Sequence, residues 1–386
     1  MLPTLLILSA ILLLALVPTL YVRYVLCRQC TSRWRSICWL PFTILVVVLV
    51  LTAWLIHSAV FLRIFTFLIT CIVLPALVLT FISGIGWLFR RKWPKVFRWA
   101  TITGYIFGGI VCLMMVYSVF WGWKNLTVKY VDIYFDDLPE TFEGYRIAQL
   151  SDLHVGAYGD QTAFIEKVVE QTNALQPDMI VFTGDIVNLS SDEIRPFEPV
   201  LSRLTATDGV YSVLGNHDYC KYGFFKEERH QQDDLLQVQE AERRIGWHLL
   251  VDEHQFIHRG SDSIAIIGVG NISEPPYLHA GDLHKAVEGL SDSVFSILLS
   301  HDPDHWRMEV LDQTQLPLML SGHTHAGQFK IGSLSPAAMM YKEWSGLYEE
   351  GHQRYLMVSE GVGGTFSFRF GATPQIVVIT LHGKKV

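Results

Sequence analysis

The stretch Leu318-Met319-Leu320-Ser321-Gly322-His323-Thr324-His325-Ala326-Gly327-Gln328 decides how the rest of the chain is read. A short apolar run ends in glycine, and two histidines follow with one residue between them. An apolar run closed in this way predicts a buried strand feeding a sharp loop. Two imidazoles on such a loop can converge on one point or on two neighbouring points. Imidazole is the commonest side-chain ligand for transition metals. Taken alone, a His-X-His pair is as often an ordinary loop feature, so the other strand ends have to decide.

Four more apolar runs end alike. Arg146–Ser151 leads into Asp152-Leu153-His154, and Met179–Thr183 into Gly184-Asp185. Val210–Leu214 leads into Gly215-Asn216-His217-Asp218, and Phe295–Ser300 into His301-Asp302. In layered α/β folds the loops beyond the carboxyl ends of the strands form the ligand site. One Asp on a solvated loop means little, but five strand ends carrying Asp, Asn or His predict a shared cage. Leu126–Phe135, Ile264–Val269, Tyr355–Ser359 and Gln375–Leu381 are further strand candidates, and Phe164–Leu175 and Asp234–Ile245 have helical spacing. The alternation predicts a layered α/β domain.

Composition divides the chain near residue 122. Residues 1–122 hold ten Arg or Lys and no Asp or Glu, so all 37 acidic residues lie beyond, with the other 20 of the 30 basic ones. The acidic balance of the second part argues against nucleic acid as a partner. Cys220 is the single cysteine there, which excludes an internal disulfide, and Cys27 and Cys30 lack the second pair or histidine cluster of a metal site. In the first part, Leu2–Val22, Ile37–Leu62, Ile64–Phe89 and Ala100–Trp121 are apolar over the roughly 20 residues that cross ~30 Å of hydrocarbon. They predict four transmembrane helices. Arg23, Arg28, Arg33 and Arg35 follow the first, and Arg90, Arg91, Lys92, Lys95 and Arg98 follow the third. Basic loops stay in the cytoplasm. The expectation is a multi-pass protein of a plasma or inner membrane, with the lipid bilayer as partner and residues 123–386 on the extracytoplasmic side.

The set D-x-H, G-D, G-N-H-D, a lone His and G-H-T-H resembles the calcineurin-like metallophosphoesterases over about 126–382. The anchored amino-terminal part, Ser151 before Asp152, and the run from Gly361-Val362-Gly363-Gly364 to Arg369 are most similar to the membrane-anchored YkuE/YaeI-type branch. The resemblance implies a four-layer α-β-β-α sandwich over 123–386, preceded by a membrane domain at 1–122. It also implies two divalent ions, one held by Asp152, His154, Asp185 and His325, the other by Asp185, Asn216, His301 and His323. Donors of this mixture suit Mn, Zn or Fe better than Mg or Ca. Two such ions ~3.5–4 Å apart acidify a shared water and spread the charge of an in-line transition state. The implied activity is hydrolysis of phosphodiester or pyrophosphate bonds by a metal-bridging hydroxide, on a phosphorylated small molecule or an envelope lipid.

His217 is the motif residue not given to a metal, and it is the expected acid toward the leaving oxygen. Many family members pair this histidine with an Asp three residues after the G-D Asp. Asn188 stands there in this chain, which leaves Asp218 as the alternative partner. Two other functions compete. A UDP-2,3-diacylglucosamine-type pyrophosphatase acts on a substrate made in the cytoplasm, against the inferred orientation. A non-catalytic scaffold is disfavoured because every ligand position is filled. Phe366, Phe368 and Phe370 alternate along an extended run and read as core. Ala337–Tyr341 is an apolar loop that reads as packing, with a lipid tail as its other possible contact.

Overall fold

A computed structural model of the 386-residue chain describes residues 2–54, 59–222, 228–351 and 353–383. The chain divides into two compact units, Met1–Gly122 and Trp123–Val386.

In the first unit, Ser32–Leu51, Arg63–Leu88 and Pro94–Lys124 are long and apolar enough to cross a membrane, and Ala10–Leu26 is a shorter apolar helix. Three described helices therefore meet the requirement, where the sequence suggested four. The first helix, Leu2–Tyr21, contains Pro18 and passes into a wider-turned segment at Val22–Leu26. Of the expected span Ile37–Leu62, residues 55–58 lie outside the described residues. The helices Leu74–Leu88 and Pro94–Phe120 pack closely. Gly104 and Gly108, four apart on one face, permit this, since a Cβ on either would lie 3.0 Å from Leu79 Cδ1 or from the Pro75 carbonyl.

The second unit is built on two six-stranded sheets. The first runs β1 (Thr127–Phe135), β12 (Gln375–Gly383), β2 (Tyr145–Leu150), β3 (Met179–Phe182), β4 (Val210–Ser212) and β5 (His248–Leu249) in spatial order. The second runs β10 (Gly346–Glu350), β11 (Arg354–Val358), β9 (Leu318–Ser321), β8 (Ser296–Leu299), β7 (Asp262–Gly268) and β6 (Glu253–Arg259). Strands β2, β3 and β4 are mutually parallel, as are β7, β8, β9 and β11. Their near-continuous apolar runs reflect burial on both faces.

One core joins the inner faces, with Ile147, Val181 and Val377 of the first sheet against Ile266, Ile297 and Leu320 of the second. On the outer face of the first sheet lie Phe164 and Val168 of helix Ala163–Ala174 and Val238 of helix Glu228–Arg244. Leu283, Trp306 and Val310 cover the second sheet. These are mixed α/β sheets with helices outside, as the run-and-loop pattern suggested. Strands β5, β6 and β10 escaped the sequence reading. β6 and β10 are polar sheet edges, Glu-His-Gln-Phe-Ile-His-Arg and Gly-Leu-Tyr-Glu-Glu, and an edge strand shows no apolar run.

The run 366–370 corrects a reading. Phe366 is exposed and Phe368 and Phe370 are half-buried, whereas the alternate residues Ser367 and Arg369 are buried. The Arg369 guanidinium turns inward because it donates to the carbonyls of Glu360, Gly363 and Ala372. A cation satisfied in this way goes inside and turns its aromatic neighbours out.

Candidate metal centre

Asp152 and His154 follow β2, Asp185 follows β3, Asn216 and His217 follow β4, His301 follows β8, and His323 and His325 follow β9. Asp152, His154, Asp185, His323 and His325 all adopt positive φ, between 45° and 71°. Non-glycine residues there cost about 1–3 kcal/mol each and persist only where the surroundings impose them. The surroundings include glycines that let the strand ends meet. A Cβ on Gly322 would collide with Asp152 and Ser151, and one on Gly215 with the Asp185 carboxylate. Gln149 Nε2 ties the two sheets here by donating to the Ser321 carbonyl at 2.8 Å.

The cage has two halves. In the first, His154 Nε2 lies 3.1 Å from His325 Nε2, and Asp152 Oδ1 lies 3.5 Å from His325 Nε2. In the second, His301 Nε2 lies 3.2 Å from His323 Nδ1. Asp185 Oδ2 stands between them, 3.6 Å from His154 Nε2 and 3.1 Å from His301 Nε2. Donor atoms of Asp152, His154 and His325, of His154, Asp185 and His217, and of Asp185, His301 and His323 form three groups, each within 4.8 Å. Asn216 is buried beside them. Its amide nitrogen donates to the Tyr222 hydroxyl at 3.0 Å, and its Oδ1 has no partner among the described residues.

The ring nitrogens that point away from the cage are held. His154 Nδ1 donates to the Val187 carbonyl at 3.2 Å, and His301 Nδ1 to that of Thr183 at 2.7 Å. His323 pairs its Nε2 with the Tyr341 hydroxyl at 2.9 Å, which leaves Nδ1 facing inward. Such outer partners fix ring orientation and tautomer. His217 Nδ1 donates to the backbone carbonyl of Asn188 at 2.7 Å, so the main chain supplies the acceptor that a side-chain carboxylate was expected to give. Asp218 does not face His217. It accepts from the backbone N–H groups of Asp185, Ile186, Val187 and Gly215, and braces the turns that carry the candidate ligands.

Charge is distributed unevenly. Burial would lower the His301 pKa, but Asp185 beside it raises it to about 10. Burial would raise Asp185, yet His301, with help from His217 and His154, holds it well below the usual carboxylate range. The pair is thus imidazolium and carboxylate, a proton standing where a cation's charge is called for. His154 is pushed down to about 3 by burial, and burial also holds His325 far below its ordinary value, so both rings are neutral. Burial pushes Asp152 up to about 6. Inward lone pairs, a shared carboxylate oxygen and an orphaned amide oxygen fit a divalent-metal site of mixed N and O donors.

Three residues around the cage had no sequence signal of their own. Tyr341 lies 18 positions beyond His323, and Tyr222 packs its ring 4.4 Å from that of His217. Arg369, fully buried, brings Nη2 to 3.3 Å from His325 Nδ1. The run Gly361 to Arg369 had marked that segment without giving it a role.

Fold and site together define a metal-dependent α/β hydrolase class. Residues 145–327 match the family described as Calcineurin-like phosphoesterase. The chain is 31% identical over 256 residues to the uncharacterized metallophosphoesterase YkuE of Bacillus subtilis, covering 63% of this chain and 81% of that protein. It is 28% identical over 261 residues to a Danio rerio transmembrane protein with metallophosphoesterase domain, covering 66% and 56%. It is also 28% identical over 291 residues to the UDP-2,3-diacylglucosamine pyrophosphatase LpxG of Chlamydia trachomatis, covering 63% and 86%. The chain spans 65% of the length of a Campylobacter jejuni relative and 56% of the Danio rerio one, less than two thirds in each case. It belongs to the calcineurin-like phosphoesterases, a family of hydrolases that act on phosphoester bonds with divalent metals.

Proposed function

We propose that the chain is a membrane-anchored two-metal phosphoesterase. Residues 1–122 are its membrane domain, and 123–386 are a catalytic four-layer α-β-β-α sandwich on the extracytoplasmic side. The observation that carries the two-metal reading is Asp185 Oδ2, one oxygen shared between two clusters of inward donors. Asp152, His154, Asp185 and His325 would hold one ion, and Asp185, Asn216, His301 and His323 the other. The apolar helix before Arg23 is taken as a fourth span, and the basic loops place it with the other three.

Bound divalent ions would supply the charge that draws phosphate oxygens and acidifies water near neutral pH. The chain's own residues do the rest. His217, its Nδ1 fixed on the Asn188 carbonyl, presents Nε2 as the proton donor to the leaving oxygen. Its backbone N–H donates to Asp185 Oδ1 at 2.8 Å, which keeps acid and bridging carboxylate in register. Tyr222, bonded to Asn216 and packed on His217, closes one side of the space a substrate would enter. The substrate class is a phosphodiester or pyrophosphate, small or lipid-linked. The likeness to a protein named as a UDP-2,3-diacylglucosamine pyrophosphatase favours a pyrophosphate-linked lipid as the second reading. Reporter fusions after Arg35 and after Val386 separate the two. A cytoplasmic reporter signal at Val386 reverses the orientation and selects the pyrophosphatase. Hydrolysis of bis-p-nitrophenyl phosphate by the purified chain with Mn or Zn tests the activity, and absence of turnover with both overturns it.

A further inference from the structure

We propose that the loop Ile331–Tyr341 is a bilayer-docking surface that presents the metal centre to lipid-anchored phosphate. The inference rests on the membrane-anchored phosphoesterase reading. Between Lys330 and Lys342 the sequence runs Ile-Gly-Ser-Leu-Ser-Pro-Ala-Ala-Met-Met-Tyr, with no charged residue. Of the stretch Ala337–Tyr341, read as packing, Ala337 is buried and Tyr341 is half-buried against His323, but the two residues before Tyr341 are not. Met339 and Met340 are 86% and 71% exposed, and Leu334 and Ile331 are 64% and 50% exposed. Phe366 adds a fifth exposed apolar side chain, and its carbonyl accepts from Gln328 at 2.9 Å.

This exposure does not come from a slack backbone. Ser335 Oγ donates to the Ala326 carbonyl at 2.7 Å, and Ala337 N donates to Ser335 Oγ at 3.0 Å. Ile331 and Leu334 exchange backbone hydrogen bonds of 2.9 and 3.0 Å, and Lys330 N donates to the Phe370 carbonyl at 2.7 Å. At its far end the loop is fastened to the site itself, through Tyr341 on His323. A water-soluble surface gains nothing by fixing a pair of methionines outward. Clustered apolar side chains held in this way mark a binding face.

The occupant follows from the rest of the chain. The apolar helix Pro94–Lys124 runs directly into the second unit, so a bilayer is the one large apolar phase this unit always has as a neighbour. Of the two lysines that bound the uncharged segment, Lys330 is paired with Glu360 and Lys342 is exposed, in a unit where acidic residues outnumber basic ones 37 to 20. Apolar tips beside an exposed lysine suit an interface of anionic headgroups over acyl chains.

The test uses the wild-type chain in nanodiscs holding one copy each, of phosphatidylcholine with phosphatidylglycerol. Hydroxyl-radical oxidation of Met339 and Met340 is read by mass spectrometry against a free peptide of residues 330–342. Docking predicts oxidation about fivefold or more slower than in the peptide, because lipid excludes the oxidant from both sulfurs. Oxidation at the peptide rate overturns the proposal. Protection that arises only when several copies share a disc assigns the face to a second copy and also overturns it. The measurement needs no turnover. Failure to hydrolyse bis-p-nitrophenyl phosphate therefore sinks the catalytic reading alone, and unprotected methionines in a hydrolysing chain sink the docking alone.

Discussion

The two halves of the cage are built from the same residue types and behave differently. Around His154 and His325 the rings are neutral and backed by the Arg369 cation, with His154 fully buried and His325 partly so. Around His301 and His323 a proton sits on His301 against Asp185, and His323 reaches outward to the Tyr341 hydroxyl. At His154 burial outweighs the Asp185 carboxylate 3.6 Å away and strips the proton, whereas at His301 the same carboxylate, 3.1 Å away and hydrogen-bonded, outweighs burial and retains one. The first half is thus prepared to receive a cation with its histidines already deprotonated, and the second has to expel a proton to do so. The second half is also the one fastened to the exposed loop.

The largest expected effect removes what the halves share. Asp185→Ala takes away the bridging oxygen, so hydrolysis of bis-p-nitrophenyl phosphate falls below detection and metal content drops in both halves. Retained turnover would break the two-half description altogether. Next comes His217→Ala, which leaves the ligands intact. Turnover slows by about 10²-fold or more with metal content unchanged, as expected for loss of a positioned acid. Co-loss of metal would instead make His217 a ligand, as its place in the His154–Asp185 group permits.

Tyr341→Phe separates the halves. It frees His323 Nε2 and should weaken metal binding at the second half by about tenfold, the usual cost of losing an outer partner, while the first half holds its ion. Equal weakening of both, measured by competition with a chelator, would deny the asymmetry. The smallest effect is a proton count. His301 is protonated below about pH 10 in the metal-free chain and has to be neutral as a ligand. Metal uptake near neutral pH should therefore release about one proton from it, a number that falls toward zero as pH rises through 10. Asp152, raised to about 6, adds to the release below that pH. Titration calorimetry in two buffers of different ionisation enthalpy reads the count.

Much of this was legible in the chain itself. The apolar runs of β2, β3, β4, β8 and β9 name themselves, because strands buried on both faces admit few polar residues. The metal-type residue at each of their ends is visible in the same glance. The polar edges β6 and β10 were not legible, since an edge strand takes its place from backbone pairing that leaves no side-chain period.

The sequence by itself determined which residue types stand at five strand ends, where the apolar and acidic parts divide, and which glycines precede the candidate ligands. Only the tertiary structure decided that Asn188 serves His217 through its backbone, that Asp218 braces turns, that Arg369 is inside and Phe366 outside, and that Tyr341 reaches His323. The physical reason is common to all four. A strand writes its burial into the spacing of its own side chains, but a hydrogen bond between distant loops leaves no periodic trace, because either partner satisfies it from any position that the fold brings within 3 Å or so.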